Sequence, residues 1–485
     1  MPAPERMSNV DTAWLRMDRP SNLMQIVGVM LFDGQLDLDR LRQLIENRLL
    51  GYRRFRQIAV ETGGAYSWVD DPDFSLDHHL RLAVLPGAAG QVELQGLVAD
   101  LASTPLNPSR PLWELHVVDT ALGGQALILR IHHCIADGIA LVGVILALAD
   151  DGPATAVAPS AAALPDREAG DPSDDIFWRL VYRPMTDAML ASIRISTNAW
   201  AKSIDLMSNP LQLLDYARTG TGIAAEVAKL ATMPDDTPTR FKGKPGAAKR
   251  VAWSEPISLP EVKAVGRVLG CSVNDMLLSA AAGALRGYLQ AQGDPVDEVE
   301  LRALVPVNLR RPADAGTLGN RFGLVALELP VGIENPLERL YVTRARMEKL
   351  KSSFQAVLTL TLLGAVGAAP KFVQEQVLDL LASKATAVMT NVPGPRSALY
   401  FAGARLRQPF FWVPQSGDIG MGVSILSYDG KVQFGLITDK TLVPDPERIV
   451  ERFAGEFEKL LWLVLMEPQD ALADPQAVEN DLTAA

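Results

Sequence analysis

The segment Ile131-His132-His133-Cys134-Ile135-Ala136-Asp137-Gly138 sets two imidazoles, a thiol and a carboxylate at the end of an apolar run, in a chain with only five histidines. An imidazole titrates near neutral pH and can take a proton from a hydroxyl or a thiol, so acid–base chemistry is expected here. Residues 126–133 read as a buried strand, and strand parity sends neighbouring side chains to opposite faces. Of His132 and His133, one is therefore expected to meet a cavity while the other supports the core. Asp137 precedes a predicted helix over residues 139–149, and capping that helix or pairing with an arginine outweighs direct catalysis for it. Adjacent histidines with an aspartate are also metal-ligand types. No ligand-rich third segment or HExxH pattern accompanies them, so no metal site is expected. Cys134 has apolar flanks and points away from its neighbour, which suits a buried thiol better than a nucleophile.

Elements must position these groups, and the chain is long enough to build them. Its 485 residues are 48% hydrophobic and 21% charged, which excludes general disorder and accommodates two large domains. The net charge of −11 argues against a nucleic-acid footprint, although a local basic patch can still hold a small anionic group. Two cysteines cannot frame a disulfide scaffold, and the start MPAPERMSNVD has no apolar leader core, so a cytoplasmic protein is expected. Residues 352–370 carry no charge before Lys371 but are interrupted by serine, threonine, glutamine and glycine. A clean membrane span is not expected there; a lipid-facing helix or an ordinary core helix is.

The periodicity alternates between helix and strand, an α/β pattern. A strand over 25–32 precedes a helix carrying Leu41, Leu44, Ile45 and Leu49. Residues 151–172, rich in alanine and proline, read as a linker, with helical signals over 214–230 and a basic run over 240–250. Ser272 is a predicted N-cap, answered by Asp275 three residues later, ahead of an alanine-rich helix over 276–289. Strands over 301–307 and 323–329, a helix over 337–350 and an apolar stripe over 449–464 complete the pattern. The division expected is 1–150, a connecting 151–250, and 251–485.

His132, His133, Asp137 and Gly138 form an HHxxxDG motif, and with it the sequence resembles the bacterial wax ester synthase/acyl-CoA:diacylglycerol acyltransferase family. Further matches are the opening SNVDTAWLRMDRP, the PLWE at 111–114, Asn274-Asp275, the PVNLR at 306–310, Gly319-Asn320, the NVPGP at 391–395 and the GDIG at 417–420. They cover most of the chain. Gln25 stands where the family often has histidine, and Asn107 replaces an aspartate of its PLD stretch. The resemblance implies two CoA-acyltransferase-like α/β domains, with mixed sheets flanked by helices and a substrate tunnel at their interface. It implies that His133 is the general base that moves a long-chain acyl group from acyl-CoA to a fatty alcohol or diacylglycerol. His132, Asp137 and Gly138 would support the motif. Asn274 would position substrate or stabilise an oxyanion, while the Ser272–Asp275 cap explains the same segment structurally. Arg302, Arg310, Arg311, Lys242 and Lys244 are candidates for the CoA entrance. Acyl-CoA is a co-substrate on this reading, no cofactor is permanently bound, and contact with a membrane or lipid-body surface is peripheral. The alternatives are a condensation-like, amide-forming acyltransferase and a noncatalytic lipid-binding scaffold.

Overall fold

A nine-residue run, QIVGVMLFD, has every residue buried except its last, so both of its faces must be covered. The computed structural model describes residues 4–138, 141, 144, 148–150, 233–309, 320, 322–351, 355–368, 371–467, 472, 474 and 475. Up to the histidine motif the order is β1 (Glu5–Arg6), α1 (Asn9–Arg16), β2 (Gln25–Asp33), α2 (Leu38–Leu44), β3 (Gln57–Thr62), β4 (Ala65–Asp70), β5 (Leu80–Ala83), α3 (Gln91–Ala102), β6 (Trp113–Asp119) and β7 (Gln125–His132). From residue 249 follow β8 (Lys249–Trp253), β9 (Ile257–Ser258), α4 (Leu259–Val268), α5 (Val273–Ala291), β10 (Leu301–Asn308), β11 (Phe322–Leu329), α6 (Pro336–Lys351), α7 (Gln355–Ala368) and α8 (Lys371–Ser383). The last elements are β12 (Ala387–Pro393), β13 (Tyr400–Phe401), β14 (Ala404–Trp412), β15 (Met421–Tyr428), β16 (Lys431–Asp439) and α9 (Glu447–Met466). The expected linker at 151–172 and the helical signals at 214–230 lie outside the described residues.

Two mixed sheets flanked by helices carry the architecture. One runs β13-β14-β2-β7-β6-β5, and the other runs β11-β10-β12-β15-β16-β8 with β9 also on β16. Sheet membership does not follow chain order: β14, from the C-terminal half, pairs antiparallel with β2, with Phe411 opposite Gly28 and Trp412 opposite Val27. β2 in turn pairs with β7, setting Gln25 opposite His132. The cores are shared in the same way. Trp253, Phe410, Trp412 and Ile437 pack with Val27, Val29 and Val98 in one apolar cluster.

Local chemistry explains the element ends. Ser272 caps α5 with its Oγ 3.2 Å from the Asp275 N–H, and Asp275 Oδ2 accepts from the Ser272 N–H at 2.9 Å. The helix beyond it is buried along most of its length. Among the described residues no single helix is long and apolar enough to cross a membrane, although the bent pair α4–α5 has the composition. The uncharged segment near 352–370 forms α7, which packs on α1 and β11. A Cβ on Gly323 would lie 1.8 Å from the Ala356 carbonyl oxygen of α7, so glycine permits this close approach. Thr359 Oγ1, one turn on, accepts from the Leu324 N–H at 2.7 Å. Gly323→Ala is therefore expected to force β11 and α7 apart and cost about 1–3 kcal/mol, read as a lowered Tm in a thermal melt. An unchanged Tm would refute the close approach.

Candidate active site

β7 ends at His132, and the chain turns through His133, Cys134 and Ile135 before a helix opens at Gly138. The Asp137 carbonyl accepts from the Leu141 N–H at 2.9 Å, the first helical bond, and the Asp137 side chain is buried. The two histidines separate as strand parity requires. His132 Nδ1 accepts from the Cys134 N–H at 3.1 Å, and its Nε2 lies 3.3 Å from Asp18 Oδ2. Burial opposes charge on His132, and although Cys134 and Asp18 outweigh it and raise the pKa, the amide N–H aimed at Nδ1 requires a lone pair there. The ring is thus the Nε2–H tautomer, a structural partner of Asp18. Cys134 is fully buried and sits in the apolar core.

His133 faces the other way and is held on three sides. Its ring stacks on Trp14 at 4.2 Å between centroids with planes 19° apart, and Phe322 stands 5.4 Å away at 43°. Its N–H donates to the Met24 carbonyl at 2.7 Å. Its carbonyl receives Asn320 Nδ2 at 2.8 Å, and the same nitrogen donates to Asp11 Oδ1 at 2.8 Å. Asp11 is on α1 beside Trp14, so one helix supplies both the face of the ring and the anchor of the amide that fixes its backbone. Nδ1 of His133 is enclosed, which leaves Nε2 as the nitrogen that a substrate hydroxyl can meet.

The ring opens onto an apolar cavity of about 1120 Å³, its mouth included. Both sheets contribute walls: Ile26, Leu129 and Phe411 from one, and Leu304, Phe322, Val388, Asn391 and Ile425 from the other. Asp137 and Gly138 complete the edge beside His133. Among the described residues, a Cβ on Gly138 would meet Val413 Cγ1 at 3.6 Å, an ordinary contact, so the glycine shapes the wall there without relieving a clash. Among the described residues no three metal-ligating side chains converge.

Burial dominates the electrostatics of His133. Desolvation lowers its pKa to about 4, with Asp137, its own backbone carbonyl and Asn320 working against the shift. The folded value lies below the ordinary 6.5. The neutral ring therefore contributes stability that is fully present above pH 6.5 and lost as pH falls through about 4. A reaction using His133 as base keeps its rate as pH falls past 6.5 and declines toward about 4, which the acid limb of kcat/KM measures. An acid limb at 6.5 would show that another group sets the profile.

Residues 7–277 match the family model of the wax ester synthase/diacylglycerol acyltransferase catalytic domain, and residues 318–461 match that of the WS/DGAT C-terminal domain. The chain belongs to this family. As a WS/DGAT member it is an acyl-CoA-dependent acyltransferase acting on lipids. It is 27% identical to a putative diacylglycerol O-acyltransferase of Mycobacterium tuberculosis, over 95% of this chain and 90% of that protein. A probable diacylglycerol O-acyltransferase of the same species is 29% identical, with 82% of each chain covered. Among solved structures, the wax ester synthase/diacylglycerol acyltransferase from Marinobacter aquaeolei VT8 shares the fold with a TM-score of 0.64 at 22% identity, over 94% of this chain and 98% of that one. The first condensation domain of the calcium-dependent antibiotic synthetase shares it with a TM-score of 0.58 at 15% identity, over 98% and 97%.

Other candidate residues of this WS/DGAT chain fall in three places. Asn274 meets the cavity wall indirectly, its Oδ1 accepting from Asn391 Nδ2 at 2.5 Å, while Asp275 is spent on the α5 cap. Arg302 donates to the Pro234 carbonyl at 2.7 Å and to Glu328 at 3.3 Å, and Lys242 donates to the Ala382 and Ala385 carbonyls. The charge of both was legible, but their donors are turned onto the protein's own backbone and carboxylates. Lys244 is exposed, and Arg310 and Arg311 lie outside the described residues. Gln25 faces away from the cavity, its amide donating to the Ala102 carbonyl at 2.9 Å, and Asn107 holds Ser109 on the surface. The sequence assigns Trp14, Asp11 and Asn320 no role beyond their place in matched motifs, and Phe322 none at all. Trp14, Phe322 and Asn320 touch His133, and Asp11 reaches it through Asn320, from positions far apart in the chain, which no local period signals.

Proposed function

We propose that this protein transfers a long-chain acyl group from acyl-CoA to the hydroxyl of a fatty alcohol or diacylglycerol, giving wax ester or triacylglycerol and free CoA. The observation that carries the reading is His133, whose neutral ring borders an apolar cavity walled by both sheets. His133 Nε2 takes the hydroxyl proton as the oxygen attacks the thioester carbon. The C–S bond breaks, and the proton leaves with the CoA thiol. No covalent acyl-enzyme is needed. Trp14 and Asn320 position the base, and the buried Asp137 carboxylate favours by its charge the imidazolium that forms. The cavity accounts for the chain: each buried methylene contributes about 0.8 kcal/mol of transfer free energy before entropic losses. Acyl-CoA is a co-substrate, and lipid acceptors are drawn from a membrane or lipid-body surface by peripheral contact.

The test is incubation with palmitoyl-CoA and either hexadecanol or diacylglycerol, with products identified by mass spectrometry. Wax ester, triacylglycerol or both is the expected result, and their ratio sets the acceptor class. Absence of both, from folded protein that binds the substrates, would overturn the reading.

A further inference from the structure

Three strands run beneath the His133 cavity and continue past it under a second apolar chamber of about 390 Å³, its open mouth included. Side chains two residues apart share a face, with a rise of about 7 Å between them, so each strand can be read as a track. Along β2, Ile26 lines the cavity and Met30 lines the chamber, with Gly28 between them. Along β14 the direction reverses: Val413, just past the strand end, lines the cavity and Pro409 the chamber, with Phe411 between. Along β15, Ser424 gives way to Tyr428 with Leu426 between. Phe411 and Leu426 belong to both spaces.

Gly28 explains where the Phe411 ring sits. The two residues are opposite each other in the β2–β14 register, and a Cβ on Gly28 would lie 2.6 Å from Phe411 Cδ1 and 2.9 Å from Leu129 Cγ. The ring therefore occupies the space that the glycine leaves free, over the boundary between cavity and chamber. The chamber's chemistry suits only an alkyl tail. Its one hydroxyl, on Tyr428, accepts from the Leu399 N–H at 2.7 Å and donates to the Leu406 carbonyl at 2.9 Å, so it is already engaged with backbone.

We propose that Phe411, seated on Gly28, is the partition between the His133 cavity and a distal alkyl-chain chamber, and that it determines the chain length the enzyme accepts. The identity of the chain, acyl or acceptor, rests on the acyl-transfer reading; the partition does not.

Binding is measured by calorimetry for wild type, Phe411→Ala and Gly28→Val. One arm uses S-alkyl-CoA thioethers from octyl to docosyl, and the other uses the matching 1-alkanols. In wild type, affinity is expected to rise about fourfold per methylene and then stop at a break. The break moves to longer chains in Phe411→Ala, and to shorter ones in Gly28→Val, where the new side chain drives the ring into the passage. Phe411→Leu gives an intermediate shift and serves if the alanine variant does not fold. The arm whose break moves identifies the chain that enters. The same break in every variant and both arms, or no length dependence in wild type, overturns the proposal. Because the readout is binding, a wild-type protein that makes no ester refutes the transfer reading and leaves this result standing.

Discussion

His133→Ala is expected to slow ester formation by roughly a hundred- to ten-thousand-fold, the usual contribution of a positioned general base, while the protein stays folded. The fold should survive because the ring borders a cavity and its backbone bonds, from Asn320 and to Met24, do not involve the side chain. His132→Ala is the contrast. It removes the acceptor of the Cys134 N–H and the partner of Asp18, so it acts on stability before chemistry. Steady-state rates beside thermal unfolding separate the two. Near wild-type turnover in His133→Ala would remove His133 as the base.

Lys249→Met is expected to destabilise the protein by about 3–5 kcal/mol, the cost of removing one partner from a buried charge pair. Lys249 Nζ donates to the Ser21 carbonyl at 2.5 Å and to Asn22 Oδ1 at 2.9 Å, and lies 3.4 Å from Asp439 Oδ2. Asn22 Nδ2 continues the chain of bonds to the Gly417 carbonyl at 2.7 Å. One ammonium thus joins the approach to β2, the start of β8, the end of β16 and the loop after β14, which spans both sheets. Burial lowers the Lys249 pKa and Asp439 opposes that shift, as for a cation kept inside by its counter-ion. Without it the Asp439 carboxylate is left buried and unneutralised. Adding Asp439→Asn to the methionine variant is expected to recover part of the loss, measured by denaturant unfolding. Equal stability of Lys249→Met and wild type would show that the tie is dispensable.

Features governed by near neighbours in the chain were legible in the sequence. The strands at β2, β7, β10 and β11, the helices α5, α6 and α9, and the Ser272–Asp275 cap all follow from periods and spacings within a few turns. The opposite fates of His132 and His133 followed from strand parity alone. The insertion of β14 beside β2 was not legible, because hundreds of residues separate the strands and apolar alternation does not encode a partner. Trp14 on His133 was hidden for the same reason. Arg302 and Lys242 show a third limit: composition reveals a charge, but the direction of its donors depends on tertiary contacts.

On the proposed function, ester forms by direct acyl transfer from CoA to a hydroxyl, with the proton passing through His133. The most direct measurement titrates free CoA and ester in the same reaction, with and without acceptor, for wild type and His133→Ala. Direct transfer through His133 gives a one-to-one yield in wild type, no stoichiometric burst of CoA when acceptor is omitted, and near-complete loss of both products in the variant. A CoA burst without acceptor, or comparable ester formation by His133→Ala, would contradict it.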